Sequence, residues 1–383
     1  MESRWVLTGR RLPQSLIYYF KIVTIERYYI KVFLMNSSSE DNKMELRARD
    51  IAEMMGVSTA TVSLAINNKP GISKKKQQEI INKIHELHCE YLLKEESEHK
   101  GNITFTVFKR YGQIVNESPF FNYFLEGINY KLKKNGYNLM FEVMESSSPL
   151  EIQIAQLTST NSCGLIIFGT EMQHDDLRAF KDSSLPFVVL DNAFREYDID
   201  AVSINNTQGI ELAIKYLTDN GHRKIGYIRS KTRITSFEER FTAFTYYLKK
   251  MGLSFDRQHI IDVEYSEKAA QVDTINYLQS HSDLPTAFFA ENDLLGCSAM
   301  RGFKEFGYNV PDDISIIGFD NRPVTQLMHP NLATINVPKD IFGPAAVDLL
   351  LQRIEGGRTQ SLKLEVGTNL VKGGTVKQIG KAL

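Results

Sequence analysis

Short apolar runs alternate with helical stretches over most of the 383 residues, and this alternation is the feature that most constrains the fold. The strand-like runs are Ile103–Phe108, Leu139–Val143, Leu165–Phe168, Phe187–Leu190, Ile225–Ile228, Ala287–Ala290 and Ile314–Gly318. The stretches with helical periodicity between them are Asn122–Lys134, Gly209–Asp219, Phe237–Lys249 and Leu294–Phe306. Strands that alternate with helices predict parallel sheets with crossover helices, which is an α/β fold.

Length, charge and cysteine content narrow the class of protein. A chain of this length, with 42% hydrophobic residues, predicts roughly two or three compact units. The net charge of −1 means that any nucleic-acid binding must come from a local basic patch. The three cysteines, Cys89, Cys163 and Cys297, are far apart, which favours a reducing compartment over a disulfide framework. We therefore predict a cytoplasmic protein.

The first 43 residues differ in character from the rest. Their apolar stretch is interrupted by Lys21 and followed by Glu26 and Arg27, so it is too short and too charged to span a bilayer. We predict that residues 1–43 are an extension, either disordered or upstream of a native start at Met44 or Met35. The alternative is an accessory helix with its Tyr and Phe side chains as the apolar face.

Residues 44–91 have the pattern of three short helices. Gly56 suits the end of the first, while Ser58 and Ser73 are suitable N-caps for the second and third. The predicted spans are 48–56, Thr59–Ile66 and Lys74 to about Leu87. Two helices joined by a short turn that contains glycine form a helix-turn-helix unit.

The second of these helices leaves short hydroxyl side chains outside, which can reach DNA phosphates or base edges. They are Ser58, Thr59, Thr61 and Ser63, and the flanking basic residues are Lys69, Lys74, Lys75 and Lys76. The alternative is a small helical bundle whose lysines form only a solvated face.

At these residues the chain resembles the lactose/galactose-repressor family of transcription regulators, and the resemblance covers residues 46–376. The matching runs of the head are Asp50-Ile-Ala, Gly56-Val-Ser-x-x-Thr-Val-Ser63 and Asn67-Asn-Lys-Pro-Gly71. The matching runs of the family's periplasmic-binding-protein-type sensor are Cys163-Gly-Leu-Ile-Ile-Phe, Leu185-Pro-Phe-Val-Val-Leu-Asp191, Gly221-His-Arg-Lys-Ile-Gly226, Glu239-Arg-Phe241, Glu291-Asn-Asp293, Pro311-Asp-Asp-Ile-Ser-Ile-Ile-Gly-Phe-Asp320 and Pro330-Asn-Leu-Ala-Thr-Ile335.

The resemblance implies a small all-α helix-turn-helix domain followed by a two-lobed, Rossmann-like sensor of periplasmic-binding-protein type I. The implied domains are a head at 44–91, a short linker at 92–101 and a sensor at 102–383. Lobe 1 is expected at about 102–204 and 337–362, and lobe 2 at about 205–335 and 363–383. The chain should therefore cross between the lobes near Ile204, Asn336 and Leu362.

The resemblance also implies a homodimeric repressor, without enzymatic activity, cofactor or metal, that binds a near-palindromic double-stranded DNA operator. Its effector is expected to be a small molecule, a sugar, in the cleft of the sensor, and no membrane is involved. The alternative function is a stand-alone carbohydrate-binding protein that keeps a vestigial head.

Carried over by position, Thr59, Ala60 and Leu64 fall where the family places its base-reading side chains. Ser58, Thr61, Ser63 and Asn67 fall at phosphate-contacting positions. Leu64 departs from the arginine that is common there, so we expect apolar contact with thymine methyl groups instead of a bidentate guanine contact.

Four polar residues, Asp191, Arg240, Asn292 and Asp320, match the family's effector contacts. A sugar-sized polyol needs converging donors and acceptors together with an aromatic wall, for which Phe108, Phe120 and Phe121 are candidates. Ile204 and Val337 also sit at ligand-facing positions. The alternative is that Asp191 and Asp320 only cap turns, and that Arg240 pairs with Glu239 or Asp191 as a buried strut.

Other chemistries are disfavoured. No Gly-x-Gly-x-x-Gly follows the first strand, and the chain has no Gly-x-Ser-x-Gly elbow and no Walker loop. His85, His88 and Cys89 share a helix face, but three candidate ligands alone predict an exposed face better than a metal site. Asp312 and Asp313 follow Pro311 and indicate a turn rather than an acid/base pair.

The segment between head and sensor is the strongest departure from the family. Cys89–Gly101 lacks the usual Pro-Asn pair and concentrates glutamates, which a DNA minor groove would repel. We predict that this segment stays outside the groove as a linker. The alternative is that Leu92 and Leu93 act as an intercalating wedge.

Overall fold

A computed structural model describes residues 47–67, 69–87, 89, 92–93, 99–117, 120–159, 161–181 and 183–380. The predictions for residues 1–43 and for the glutamates at 90, 95, 96 and 98 therefore lie outside the described residues. The chain divides into two compact units after Glu96. Among the described residues, no helix combines the length and the apolarity needed to cross a lipid bilayer.

The head contains the three predicted helices, α1 (Ala48–Met54), α2 (Thr59–Ile66) and α3 (Lys74–Glu86). The Ser58 hydroxyl accepts the Thr61 N–H at 3.0 Å, and the Ser73 hydroxyl accepts the Lys76 N–H at 3.2 Å, so both predicted N-caps are confirmed. Gly56 follows α1 with φ +62°, a conformation that favours glycine. Buried side chains on all three helices form one small core: Ile51, Ala52, Val62, Ala65, Ile66, Ile80 and Ile84.

The sensor is built from two sheets with helices on both sides. Its strands are β1 (Gly101–Lys109), β2 (Tyr137–Glu145), β3 (Ser162–Phe168), β4 (Phe187–Leu190), β5 (Asp200–Ile204), β6 (Ile225–Ser230), β7 (Ile260–Val263), β8 (Ala287–Ala290), β9 (Ser315–Asp320), β10 (Ala333–Asn336), β11 (Lys363–Val366) and β12 (Asn369–Val371). Its α-helices are α4 (Gln113–Glu117), α5 (Asn122–Lys134), α6 (Leu150–Ser159), α7 (His174–Lys181), α8 (Asn206–Asp219), α9 (Thr235–Lys250), α10 (Glu267–Ser280), α11 (Asp293–Phe306), α12 (Val324–Leu327) and α13 (Lys339–Ile354).

The sheet of lobe 1 has the order β11-β5-β4-β3-β1-β2, and every neighbouring pair is parallel. The sheet of lobe 2 has the order β12-β10-β9-β8-β6-β7, in which only β12 runs antiparallel to its neighbour. Parallel strands place their carboxyl ends at one edge of each sheet, where α/β proteins bind ligands. The predicted α/β class with two parallel-sheet lobes is confirmed.

The chain crosses between the lobes three times. The first two crossings lie between β5 and α8 and between β10 and α13, close to the expected positions. The third was predicted near Leu362, and this was wrong, because Lys363–Val366 pairs with β5 in the sheet of lobe 1. The crossing therefore lies between Val366 and Asn369. Strand β11 is a short edge strand with alternating polar and apolar residues, so it lacks the apolar run of a central strand.

Candidate functional site

A narrow cavity with a volume of about 30 Å³ lies between the two lobes at the carboxyl ends of their strands. All four predicted ligand residues, Asp191, Arg240, Asn292 and Asp320, line it. The other lining residues are Ile114, Val115, Phe120, Phe168, Thr170, Ile204, Ile234, Ser236, Phe237 and Tyr265. The fold thus brings together residues that lie up to 206 positions apart in the sequence (114 to 320).

The expected aromatic wall is only partly right. Phe120 lines the cavity, together with Phe168 and Phe237, which the sequence analysis did not select. Phe108 is wrong as a wall residue, since it is fully buried in the lobe 1 core. Its side chain leaves the sheet on the face opposite to that of Phe105, because successive residues of a strand alternate.

Two carboxylates stand at the carboxyl ends of central strands. Asp191 comes after β4 with φ +71°, and Asp320 ends β9 with φ +103°. Left-handed backbone is costly for residues other than glycine and tends to occur at functional sites. This conformation turns both side chains from the sheet toward the cavity.

Arg240 on α9 is almost fully buried, and its guanidinium is bonded on three sides. Its Nε donates to Asn206 Oδ1 at 2.8 Å, one terminal nitrogen donates to the Glu291 carbonyl, and the other lies 3.4 Å from Asp320 Oδ1. The predicted strut pairing with Glu239 or Asp191 is not seen; the ion pair is with Asp320. Arg240 thus has a structural role, while its place in the cavity wall also allows it to donate to a ligand.

Asn292 and Thr170 show how local structure positions the cavity's polar groups. The Asn292 Oδ1 accepts the Leu295 N–H and caps α11, and its Nδ2 donates to the Tyr265 hydroxyl at 2.7 Å. The Thr170 hydroxyl donates to Asp191 Oδ2 at 2.5 Å. No sequence motif marked Thr170 or Tyr265, because both lie on connecting segments without a pattern of their own.

Burial dominates the electrostatics of the cavity. It raises the pKa of Asp191 to about 7, against the opposing effects of the Thr170 hydrogen bond and the Arg240 charge. Burial, together with the charge of Asp320, raises the pKa of Asp293 to about 8, and burial also raises the pKa of Asp320. The carboxyl groups of this region therefore change protonation closer to neutral pH than free carboxyls do.

In the head, the seven residues predicted to contact DNA lie on and around α2. Ser58, Thr59, Ala60 and Ser63 are exposed, whereas Thr61, Leu64 and Asn67 are half-buried. The Ser58 and Thr61 hydroxyls lie 2.8 Å apart, and Asn67 Nδ2 donates to the Ser63 carbonyl at 2.7 Å. Several of the polar groups expected at phosphates therefore already make local hydrogen bonds, and their DNA role stays a prediction.

Comparison with known proteins identifies the family. Residues 48–89 match bacterial regulatory proteins of the lacI family, and residues 214–376 match a periplasmic binding protein-like domain. A protein named HTH-type transcriptional repressor PurR from Photobacterium profundum is 30% identical over 336 residues, which covers 86% of this chain and 98% of that protein. The chain belongs to the lacI family. The PurR repressor of Mannheimia succiniciproducens is 28% identical over 335 residues, which covers 86% of this chain and 98% of that protein.

Solved structures show the same lacI-family architecture. A complex of the transcriptional regulator CelR with cellobiose has a TM-score of 0.65 at 22% identity, with 86% of this chain and 99% of that chain covered. The lac repressor dimer bound to operator and the anti-inducer ONPF has a TM-score of 0.64 at 21% identity, with 87% and 99% covered. A lacI-family regulator from Enterococcus faecium with bound ribose is 26% identical, with a TM-score of 0.63 and 72% and 100% covered.

Membership of the lacI family confirms that the chain is a regulatory protein and not an enzyme. Among the described residues, no group of three or more His, Cys, Asp or Glu side chains could hold a metal ion. The predicted exposed helix face was wrong for Cys89, which lies beyond the end of α3 at Glu86 and is buried with its thiol directed to the Leu87 carbonyl. His88 lies outside the described residues.

Proposed function

We propose that this lacI-family protein is a cytoplasmic repressor whose binding to operator DNA is controlled by a sugar in the cleft between the lobes. The observation that carries the proposal is the convergence of Asp191, Arg240, Asn292 and Asp320 on one cavity with an aromatic wall. The protein would read its operator with α2, through the exposed Thr59 and Ala60 and the half-buried Leu64.

The chemistry of the cleft suits a sugar. A sugar ring has hydroxyl groups at its edges and C–H groups on its faces, so it needs both hydrogen-bonding groups and apolar contact. Asp191 and Asp320 offer acceptors, Arg240 offers donors, and Phe120 and Phe168 offer flat apolar surface. The structural neighbours that hold cellobiose or ribose support the same proposal.

We further propose that the protein is a homodimer. Strand β2 forms one edge of the lobe 1 sheet and leaves Phe141 46% exposed and Val143 41% exposed, which is apolar surface suited to a second copy. The lac repressor among the structural neighbours is described as a dimer. A two-fold dimer requires a near-palindromic operator with half-sites roughly 34–36 Å apart.

The first test screens sugars against the full chain by thermal shift, with cellobiose and ribose included. A sugar that raises the melting temperature of the wild type should have no such effect on Asp320→Asn, while the exposed-site control Asp175→Asn should keep the response. A panel that contains no binder, or an equal response in Asp320→Asn, would contradict the proposal for this cleft.

The second test measures binding of the full chain to DNA from upstream of its own gene, at several salt concentrations, with and without the sugar. We expect affinity that falls steeply as salt rises and that changes when the sugar is added. Sugar binding without any salt-dependent DNA binding would favour the alternative of a carbohydrate-binding protein with a vestigial head.

A further inference from the structure

Glu171 is a fully buried carboxylate whose two oxygens accept five backbone N–H groups. The Oε2 atom accepts from Arg110, Tyr111 and Gly112 at 2.8 to 2.9 Å, and Oε1 accepts from Ile114 and Val115 at 2.9 and 3.1 Å. Hydrogen bonds from backbone amides to a charged carboxylate are stronger than neutral ones. This single side chain therefore fixes the backbone of the turn that follows β1 and of the start of α4.

The segment that Glu171 holds forms part of the effector cleft. Ile114 and Val115 both line the cavity and are only 4% and 3% exposed. Val115 belongs to the apolar cluster that includes Phe120 and Phe168, whereas Ile114 belongs to the cluster of lobe 2 that includes Phe237. Helix α4 thus belongs to lobe 1 through Val115 and reaches the core of lobe 2 with Ile114.

Hydrogen bonds across the cleft also connect the surroundings of Glu171 to lobe 2. The Thr232 hydroxyl of lobe 2 donates to Gln113 Oε1 of α4 at 2.6 Å. Asn192 makes a second connection. Its Nδ2 lies 3.2 Å from the carbonyl of Met172, the residue after Glu171, and 3.2 Å from the Thr235 hydroxyl of lobe 2. Gln113, beside the amides that Glu171 accepts, and Asn192, which contacts the residue after Glu171, therefore both contact lobe 2.

The turn that carries Glu171 also contacts the candidate ligand carboxylate. Thr170, the residue before Glu171, donates to Asp191, and Asn192, the residue after Asp191, lies within 3.3 Å of the Gly169 carbonyl. A shift of this turn would move Asp191 and α4 together, because both are bonded to it.

We infer that Glu171 is a positioning residue for effector recognition. It holds α4 so that Ile114 and Val115 form the lobe 1 wall of the cleft and Gln113 reaches lobe 2. It also couples that wall to Asp191 through Thr170. The inference rests on the proposed function for the role of the cleft, but the hold of Glu171 on α4 can be tested without any ligand.

The test compares Glu171→Gln in the full chain with the wild type by hydrogen exchange. Glutamine has nearly the same size as glutamate but only one acceptor oxygen. Some of the five backbone N–H groups must therefore lose their hydrogen-bond acceptor. We expect exchange at residues 110–115 to rise at least tenfold, and exchange around Thr232 to rise as well, while the sheet of lobe 2 stays unchanged. Glu126→Gln, at an exposed glutamate on α5, is the matched control.

Unchanged exchange at residues 110–115 would overturn the inference, and so would a uniform rise over the whole sensor, which would indicate a general loss of stability. Gln113→Ala keeps the Glu171 bonds and provides the second variant if Glu171→Gln does not fold. It should raise exchange around Thr232 and leave residues 110–112 as in the wild type; no change around Thr232 would also overturn the inference.

A further experiment measures the affinity of wild type and Glu171→Gln for one sugar, the member of the thermal-shift panel that stabilises the wild type most. We expect Glu171→Gln to bind this sugar at least tenfold more weakly than the wild type does. Its operator affinity without sugar should stay within about twofold of the wild-type value. Equal sugar affinity in both proteins would overturn the positioning role. If no sugar of the panel binds the wild type, the sugar proposal fails, whereas the exchange experiment still decides the role of Glu171.

Discussion

The guanidinium carbon of Arg240 lies 3.7 Å from the ring centroid of Phe319, the residue before Asp320. The same guanidinium faces Asp320 itself at 3.4 Å. Arg240 thus packs on the last two residues of β9 and links α9 to the edge of the sheet that faces the cavity. A cation over an aromatic face and a nearby carboxylate both stabilise its charge in a buried position.

Arg240→Ala should therefore abolish the response to the effector and also destabilise the sensor. Removal of one partner of a buried pair leaves Asp320 without its counter-charge, at a cost of roughly 3–5 kcal/mol. Operator affinity without effector should stay close to that of the wild type. Calorimetry with the sugar and urea unfolding measure the two effects.

The control is Arg229→Ala, which removes an exposed ion pair with Asp262 in the same lobe and should cost less than about 1 kcal/mol. Unchanged ligand affinity in folded Arg240→Ala would remove Arg240 from the binding site.

The Asp191 carboxyl should make the sensor less stable as the pH rises from about 4 to about 7. The pKa of Asp191 is about 7 in the folded protein and 3.8 in an unperturbed chain, so over this interval the folded state keeps a proton that the unfolded state has lost. The effect is at most about 4 kcal/mol, at about 1.4 kcal/mol for each pH unit between the two values. Asp293 contributes in the same direction up to about pH 8.

Asp191→Asn should reduce the slope of this dependence without removing it, because Asp293 still contributes, as measured by urea unfolding at pH 5.5, 7 and 8. The exposed-site variant Asp175→Asn should reproduce the wild-type profile. If Asp191→Asn showed the full wild-type slope, the Asp191 carboxyl would not be the group that takes up the proton.

The double variant Thr59→Ala with Leu64→Ala should change which operator base pairs the protein prefers. Each lost base contact should cost roughly 1–3 kcal/mol at specific positions, because the family resemblance predicts base-reading roles for these two side chains. Lys75→Gln, at an exposed lysine beside the N-cap of α3, should instead weaken binding to all sequences and reduce the salt dependence. A competition assay with operators changed one base pair at a time measures both effects. If the double variant bound all of these operators more weakly by the same factor, Thr59 and Leu64 would contact the DNA backbone and not the bases.

Leu92 and Leu93 should stabilise the head rather than wedge into DNA. Both are half-buried and pack against the apolar core of the head, which includes Ile51 and Ile84. Their joint replacement by serine should lower the free energy of unfolding of the head by roughly 2–4 kcal/mol, given the apolar surface that they bury. The bend angle of the operator should not change.

Gel-shift bend analysis of the Leu92 and Leu93 variant tests this. The control is the double replacement Lys69→Gln and Lys75→Gln, which we expect to weaken phosphate contact without changing the bend angle. A large loss of both affinity and bend angle, in a dimer whose head is still folded, would show that an intercalating hinge operates here.

The features that could be read from the sequence are those that depend on neighbouring residues. The caps at Ser58 and Ser73 are formed by hydrogen bonds to backbone three residues away, so the residue type and its place before an amphipathic run were enough to predict both helices. The central strands were predicted because burial on both faces requires a continuous apolar run. Asp191 and Asp320 follow such runs, and the family resemblance predicted both at the cleft.

Elements without such a local pattern were missed. Strands β5, β7, β10, β11 and β12 have three to five residues each and all contain polar residues, so none of them forms a continuous apolar run such as those of β4 and β8. The edge strand β11 displaced the third crossing. Helix α13 carries Pro344 in its interior, which argues against a helix when only local propensity is considered.

The arrangement of the cleft was decided by tertiary structure. Arg240 finds its partners 34, 51 and 80 positions away, and Glu171 holds amides 56 to 61 positions away. A lone glutamate in a connecting segment has no pattern that predicts five backbone donors, and no pattern reveals that burial raises the pKa of Asp191. Sequence determines local hydrogen bonds and which faces are apolar, whereas the partners and the dielectric surroundings of a buried charge exist only once distant segments have packed together.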